Sequence, residues 1–263
     1  MMQVICKYDC MRKKIIVIGI SIITFIAALL FLNFLPTFNL ETSGMSFIEG
    51  DWVNVFYEEE KDAAKDVFRY ADSEAEQIAR KLGFEEKQVV NVYIYDRQST
   101  MQKKKYGVVP SLMGLDWYIG DNRDTNVILT SPANSGKVHS YDDVKEASLH
   151  EIVHAYVSVI NPDVQLWLTE GVALYLTNGE PLTKETIESV PVPTYKETQT
   201  SNPITFSKSG GYSYAHSYIE YLEKKYGWDK VLELLKTEDY ESVLGKTSEE
   251  IYNDWIEYMN SQQ

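Results

Sequence analysis

The sequence predicts an α+β protein carried on an N-terminal transmembrane helix. Three observations point there. Ile15 to Leu35 is a run of 21 residues without a charge. The strand-like runs, above all Val89 to Tyr95 and Val127 to Thr130, fall in the first half of the chain. Helical periodicity dominates from Asp142 onward.

At about 1.5 Å per residue the apolar run extends roughly 31 Å, enough to cross the hydrocarbon core. Pro36 ends it. A cleaved signal peptide would have an apolar region of about 7–15 residues followed by a small-residue cleavage site. The run here is longer, and Phe34-Leu35-Pro36-Thr37-Phe38 offers no such site, so an uncleaved anchor over residues 15–35 is expected. Arg12, Lys13 and Lys14 precede it, and the positive-inside rule keeps them cytoplasmic within a basic segment, residues 1–14. The expectation is a single-pass cell-membrane protein with its C-terminal domain outside the cytoplasm. Met11-Arg12-Lys13-Lys14 reads as an alternative start of translation, which would remove Cys6 and Cys10.

Residues 36–50 contain Pro36, Gly44 and Gly50 and read as a tether to an extracytoplasmic domain over residues 51–263. Glu58 to Leu82 has apolar residues at steps of three and four (Ala64, Val67, Phe68, Ala71, Ala75, Ile78, Ala79) and a glycine, Gly83, placed to end a helix. Val89 to Tyr95 alternates as a strand. A short helix is expected over Ser99–Tyr106. Leu115–Ile119 and Val127–Thr130 read as strands around a turn, Gly120 to Asp124. That turn is not a calcium loop, because Arg123 occupies a ligand position. Helices follow at Asp142–Ile160, stopped by Asn161-Pro162, at Gln165–Thr177, ending near Asn178-Gly179, and at Tyr214–Tyr226, ended by Gly227. Residues 190–211 read as a loop, and two short helices, about 228–237 and 248–260, close the chain.

Charge and cysteine content exclude whole classes. The net charge is −14, and removing the +3 of residues 1–35 leaves −17 on the remainder. Such a surface cannot displace counterions from phosphate, so no nucleic-acid partner is expected. Both cysteines lie in the first ten residues, which rules out a disulfide scaffold or a cysteine-rich zinc module in the exported part.

His150-Glu151-Ile152-Val153-His154 matches H-E-x-x-H within a helical pattern. A four-residue step puts both imidazoles on one helix face, where they can bind one Zn²⁺ from the same side. Glu151 then stands beside the metal as general base for a zinc-activated water. The chain reverses at Asn161-Pro162 and presents Trp167-Leu168-Thr169-Glu170-Gly171. Glu170, 16 residues after His154, falls where a returning helix passes the metal. Three protein ligands leave a fourth position open, the arrangement of a catalytic zinc site.

The pair H-E-I-V-H and W-L-T-E-G resembles the gluzincin zinc metallopeptidases of the thermolysin-like peptidase MA superfamily. The resemblance covers about residues 140–180 and extends more weakly to the Tyr-rich stretch 212–222. It implies that His150, His154 and Glu170 bind zinc and that Glu151 is general base and later acid. It implies a gluzincin-like catalytic domain with a small mixed sheet in its first half and a helical second half, whose edge strand holds extended peptide by main-chain bonds. Val127–Thr130 is the candidate for that strand. It further implies an oxyanion donor beyond the third ligand, for which Tyr214 and His216 are the local candidates, with Tyr212 behind them. One departure is Leu174, which stands where thermolysin has an Asp that orients a zinc histidine. The sequence therefore leaves that acceptor unassigned.

The expected activity is a membrane-anchored zinc metallopeptidase, an endopeptidase by default, acting on peptide or protein substrates. Two alternatives stand beside it. One is a non-catalytic binding module on the same fold, supported by Leu174. The other is a zinc hydrolase of a non-peptide amide.

Overall fold

A computed structural model describes residues 2–112, 115–177, 179 and 181–261, with side chains described from residue 14 onward except at Pro110. The chain opens with α1 (Met2–Phe34), continued by a short 3₁₀ turn over Leu35–Phe38. Lys14 to Phe38 is long and apolar enough to span a membrane, and no residue of its most apolar 18-residue window is buried inside the protein. The next elements are β1 (Ser46–Ile48), β2 (Val53–Tyr57), α2 (Lys61–Lys81), β3 (Val90–Tyr95), α3 (Gln98–Tyr106), β4 (Gly120–Arg123) and β5 (Asn126–Thr130). After them come only helices: α4 (Tyr141–Ile160), α5 (Leu166–Leu176), α6 (Lys184–Ser189), α7 (Tyr195–Thr198), α8 (Pro203–Lys208), α9 (Gly211–Tyr226), α10 (Trp228–Thr237), α11 (Tyr240–Leu244) and α12 (Ser248–Ser261).

The five strands form one mixed sheet in the order β1-β2-β3-β5-β4. β2, β3 and β5 run parallel, and β1 and β4 close the two edges antiparallel. Both faces of the central strands are covered, as parallel strands require. Val53, Val55, Val92, Val127 and Leu129 enter the main core with α2 and α4. Ile128 and Tyr95 point the other way, into a second cluster with Met101 of α3 and Tyr118. Val127, Ile128 and Leu129 are all fully buried, each burial stabilising by about 1.5–3 kcal/mol.

Three expectations are corrected here. Gly120 to Arg123 is a strand rather than a turn, since pairing of Gly120 with Leu129 through Arg123 with Asn126 overrides its turn-like composition. The turn is only Asp124-Thr125, with Asp124 in a left-handed conformation. Leu115–Ile119 is accordingly not a strand. Val127–Thr130 is interior to the sheet, so the edge that can pair with an extended peptide on this side is β4. The expected helix end at Asn178 lies outside the described residues. The loop 190–211 contains two short helices, α7 and α8, each begun by a capping side chain, Thr194 and Asn202.

The segment expected to be a tether is a strap bound to the domain. Thr37 is buried, and its carbonyl accepts from Arg123 of β4. The buried Lys104 ammonium donates to the carbonyls of Asn39 and Glu41 at 2.6 and 2.8 Å. The Tyr95 hydroxyl donates to the carbonyl of Leu40 at 2.7 Å, and β1 then joins the sheet. Charge-assisted bonds of this kind, shielded from water, fix the strap on α3 and β4.

Candidate metal centre

α4 begins with a reciprocal capping box. The Asp143 amide donates to the Ser140 hydroxyl at 3.1 Å, and the Ser140 amide donates to the Asp143 carboxylate at 2.7 Å. From this start, Val144, Leu149, Ile152, Val153, Ala155 and Tyr156 bury the core side of the helix. His150 and Glu151 fall on the side that faces β4 and remain half-buried. Asn161 and Pro162 stop α4, and α5 returns across it. Trp167 anchors the return, packed edge-on against Phe206, Tyr218 and Trp255 at 5.8, 6.0 and 5.8 Å. Gly171 lets α9 lie close on α5: a Cβ there would sit 2.8 Å from the Ala215 carbonyl oxygen and 2.8 Å from the Ile219 side chain. These contacts hold Glu170 against the two histidines.

The three expected ligands do converge. His150 Nε2 and His154 Nε2 are 3.0 Å apart, and Glu170 Oε2 lies 3.3 Å from the first and 3.6 Å from the second. All three donor atoms fall within 4.8 Å of one another, a group that could hold a metal ion. Glu170 Oε2 is buried and has no hydrogen-bond partner among the described residues. Burial pushes the Glu170 carboxyl up, but His154 and His150 outweigh it and hold the group well below its usual range. Two imidazole nitrogens and one carboxylate oxygen with an unsatisfied lone pair suit a borderline cation such as zinc.

Thr169 is the side chain that meets the outer nitrogen of His154, where the sequence left an acceptor unassigned. His154 Nδ1 lies 3.0 Å from the Thr169 hydroxyl. A proton on Nδ1 donated to that oxygen leaves the Nε2 lone pair aimed into the cluster. The residue stands inside the W-L-T-E-G segment, one position before Glu170. Ser158 adds a further tie, donating to the His154 carbonyl and accepting from Asn122 of β4 at 2.9 and 3.0 Å.

Glu151 points at the edge strand. A Cβ on Gly120 would lie 3.3 Å from Glu151 Cγ, close enough that a larger residue there would press the Glu151 side chain aside by a few tenths of an ångström. Burial pushes the Glu151 carboxyl up to about 8; the His150 charge opposes the shift, and Asp121 and Glu170 add to it. Asp121 itself is tied to Lys105 at 2.7 Å and accepts from the Tyr118 hydroxyl. The cluster opens into a cleft of about 880 Å³. Tyr106, Leu115, Trp117, Ile119, Leu166 and Ile204 give that cleft an apolar lining.

The two expected oxyanion donors are not in this cleft. Tyr214 is fully buried, and its hydroxyl donates to the Val190 carbonyl at 2.7 Å, pinning the 190–194 segment to α9. His216 packs on Tyr175 with ring centroids 5.2 Å apart, and its Nδ1 is buried without a hydrogen-bond partner among the described residues. Helix phase explains Tyr214, which shares the core face of α9 with Ala215, Tyr218, Ile219 and Leu222, whereas His216, one turn after Tyr212 on the same face, lies further along the helix against Tyr175. Tyr212, in the first turn, is the tyrosine of α9 that lines the cleft. Desolvation and the charges of Glu170 and Glu151 push its phenol up, so it keeps its proton. His139 lines the cleft as a loop residue, bonded through Nε2 to the Trp117 carbonyl at 2.9 Å.

No family model matches this chain, and no curated protein matches it.

Proposed function

We propose that the protein is a membrane-anchored zinc metallopeptidase of gluzincin type. One observation carries the reading: His150, His154 and Glu170 converge from two helices at the floor of a cleft, with Glu151 beside them on the edge-strand side. Zinc, bound by those three residues, would supply a Lewis acid for the scissile carbonyl and lower the pKa of water to near neutrality. Glu151 accepts the proton of the attacking water and later returns it to the leaving amine. In this reading Tyr212, which lines the same cleft, donates to the carbonyl oxygen as charge develops there. The outer edge of β4, on which Lys105 already donates to the Asn122 carbonyl, offers the main-chain groups of Gly120 to an extended peptide, and the apolar lining receives its side chains. Thr169 supplies the histidine-orienting oxygen that Leu174 cannot, which favours the enzyme over a binding module.

In this reading α1 is the anchor. Lys14 and the basic residues before it stay cytoplasmic, and the domain faces the outside. The test is Glu151→Gln in the full chain, assayed on a peptide library with a chelator control. Loss of hydrolysis with zinc content kept near stoichiometric supports the mechanism. Undiminished hydrolysis refutes it, and cleavage of amides but never peptides moves the substrate class.

A further inference from the structure

The end of α1 does not stand clear of the domain. Asn33, in its last turn, accepts from the Val108 amide through its carbonyl at 3.0 Å and from the Val109 amide through its side-chain oxygen at 2.9 Å. Gly107 makes the approach feasible: its φ is +87°, and a Cβ there would sit 2.6 Å from the Asn33 carbonyl oxygen. The continuous apolar run read as the bilayer span ends at Leu35, two residues further on, before Pro36. The loop beginning at Val108 is therefore level with the outer boundary of the hydrocarbon. At that level it exposes apolar side chains: Val109 is 63% and Leu112 77% exposed, beside Leu35 at 49% and Phe38 at 70%. Residues 107–112 carry no charge, and the half-buried Lys103 lies just before them on α3. Apolar groups followed by a basic side chain suit the boundary between acyl chains and headgroups.

We propose that the 107–112 loop inserts Val109 and Leu112 into the outer leaflet of the membrane that α1 spans, as a second point of attachment for the domain. This rests on the reading of α1 as a membrane span. The strap bonds from Arg123, Lys104 and Tyr95 to residues 37–41 make the attachment rigid, so loop and helix end share one height. Lys105 and Tyr106 of the cleft wall immediately precede the loop. Insertion thus holds the cleft close to the membrane surface.

The test uses the full chain with Cys6→Ser and Cys10→Ser, one copy per phosphatidylcholine nanodisc. A nitroxide is attached at Leu112→Cys, Val109→Cys, Ile23→Cys or Lys236→Cys. Power saturation then compares collision with oxygen, which concentrates in lipid, and with a water-soluble nickel chelate. The expected ratio of oxygen to nickel accessibility is above one at Leu112, Val109 and Ile23 and below one at Lys236. A water-like ratio at Leu112 and Val109 with a lipid-like ratio at Ile23 overturns the insertion alone. A water-like ratio at Ile23 overturns the membrane span as well. Shielding of Leu112 from both reagents would mean a protein contact and also overturns the proposal.

Discussion

Thr169→Val isolates the contact that the sequence did not reveal. The substitution keeps the shape of the side chain and removes the hydroxyl that His154 Nδ1 meets at 3.0 Å. His154 is only 8% exposed, so water has little access to replace the lost partner. An unsatisfied buried donor costs about 1–3 kcal/mol. Loss of an orienting partner of a metal histidine typically weakens metal binding about 10–100-fold, or about 1.4–2.7 kcal/mol. The two routes agree in size. Competition for zinc against a chromogenic chelator, at neutral pH and with the full chain in detergent, reads the change directly. Thr169→Ser should bind zinc like the wild type. Equal zinc affinity in Thr169→Val and wild type would refute the role given to Thr169.

Further predictions concern α9. Tyr212→Phe should lower kcat about 10²–10³-fold with KM little changed, as for loss of an oxyanion donor. Tyr214→Phe should keep full activity and cost about 1–3 kcal/mol of stability, because the Val190 carbonyl loses its donor; a reversed pattern in steady-state kinetics would restore Tyr214 to the site. His216→Gln should leave hydrolysis intact and flatten the pH dependence of stability. Burial lowers the His216 pKa below its ordinary value of 6.5, with Glu220 opposing. The neutral ring therefore contributes stability above about pH 6.5 that is lost as pH falls through the folded-state value. Thermal melts of both forms between pH 7 and about pH 5 should show the smaller loss in the variant.

How far the sequence reached depended on whether a feature was local. The two histidines and Glu151 follow from a four-residue helical step, and Glu170 from a reversal at Asn161-Pro162, both set by nearby residues. The β4–β5 hairpin is hard to read from residue types because Gly120-Asp121-Asn122-Arg123 has turn chemistry but strand pairing. The unbroken apolar run Val127-Ile128-Leu129 carried the missed signal, since a strand buried on both faces is interior to its sheet. The alternation of Val53, Val55 and Tyr57 likewise marks β2, though over too few residues to stand out from its surroundings. Tyr214 and His216 were candidates by proximity to the third ligand. Helix phase, readable from Tyr214, Tyr218 and Leu222, places Tyr214 in packing, while His216 shares the face of Tyr212 and misses the cleft only by lying one turn further along α9. The strap was not legible, because its bonds to Lys104, Arg123 and Tyr95 join residues far apart in the chain.

The central claim is a metal held by His150, His154 and Glu170. Metal analysis of the purified full chain, wild type beside Glu170→Ala, tests it most directly. The account predicts near-stoichiometric zinc in the wild type and a large loss of affinity in Glu170→Ala, with the domain still folded by circular dichroism. A wild type that takes up no zinc, or a variant that binds it equally well, would contradict it.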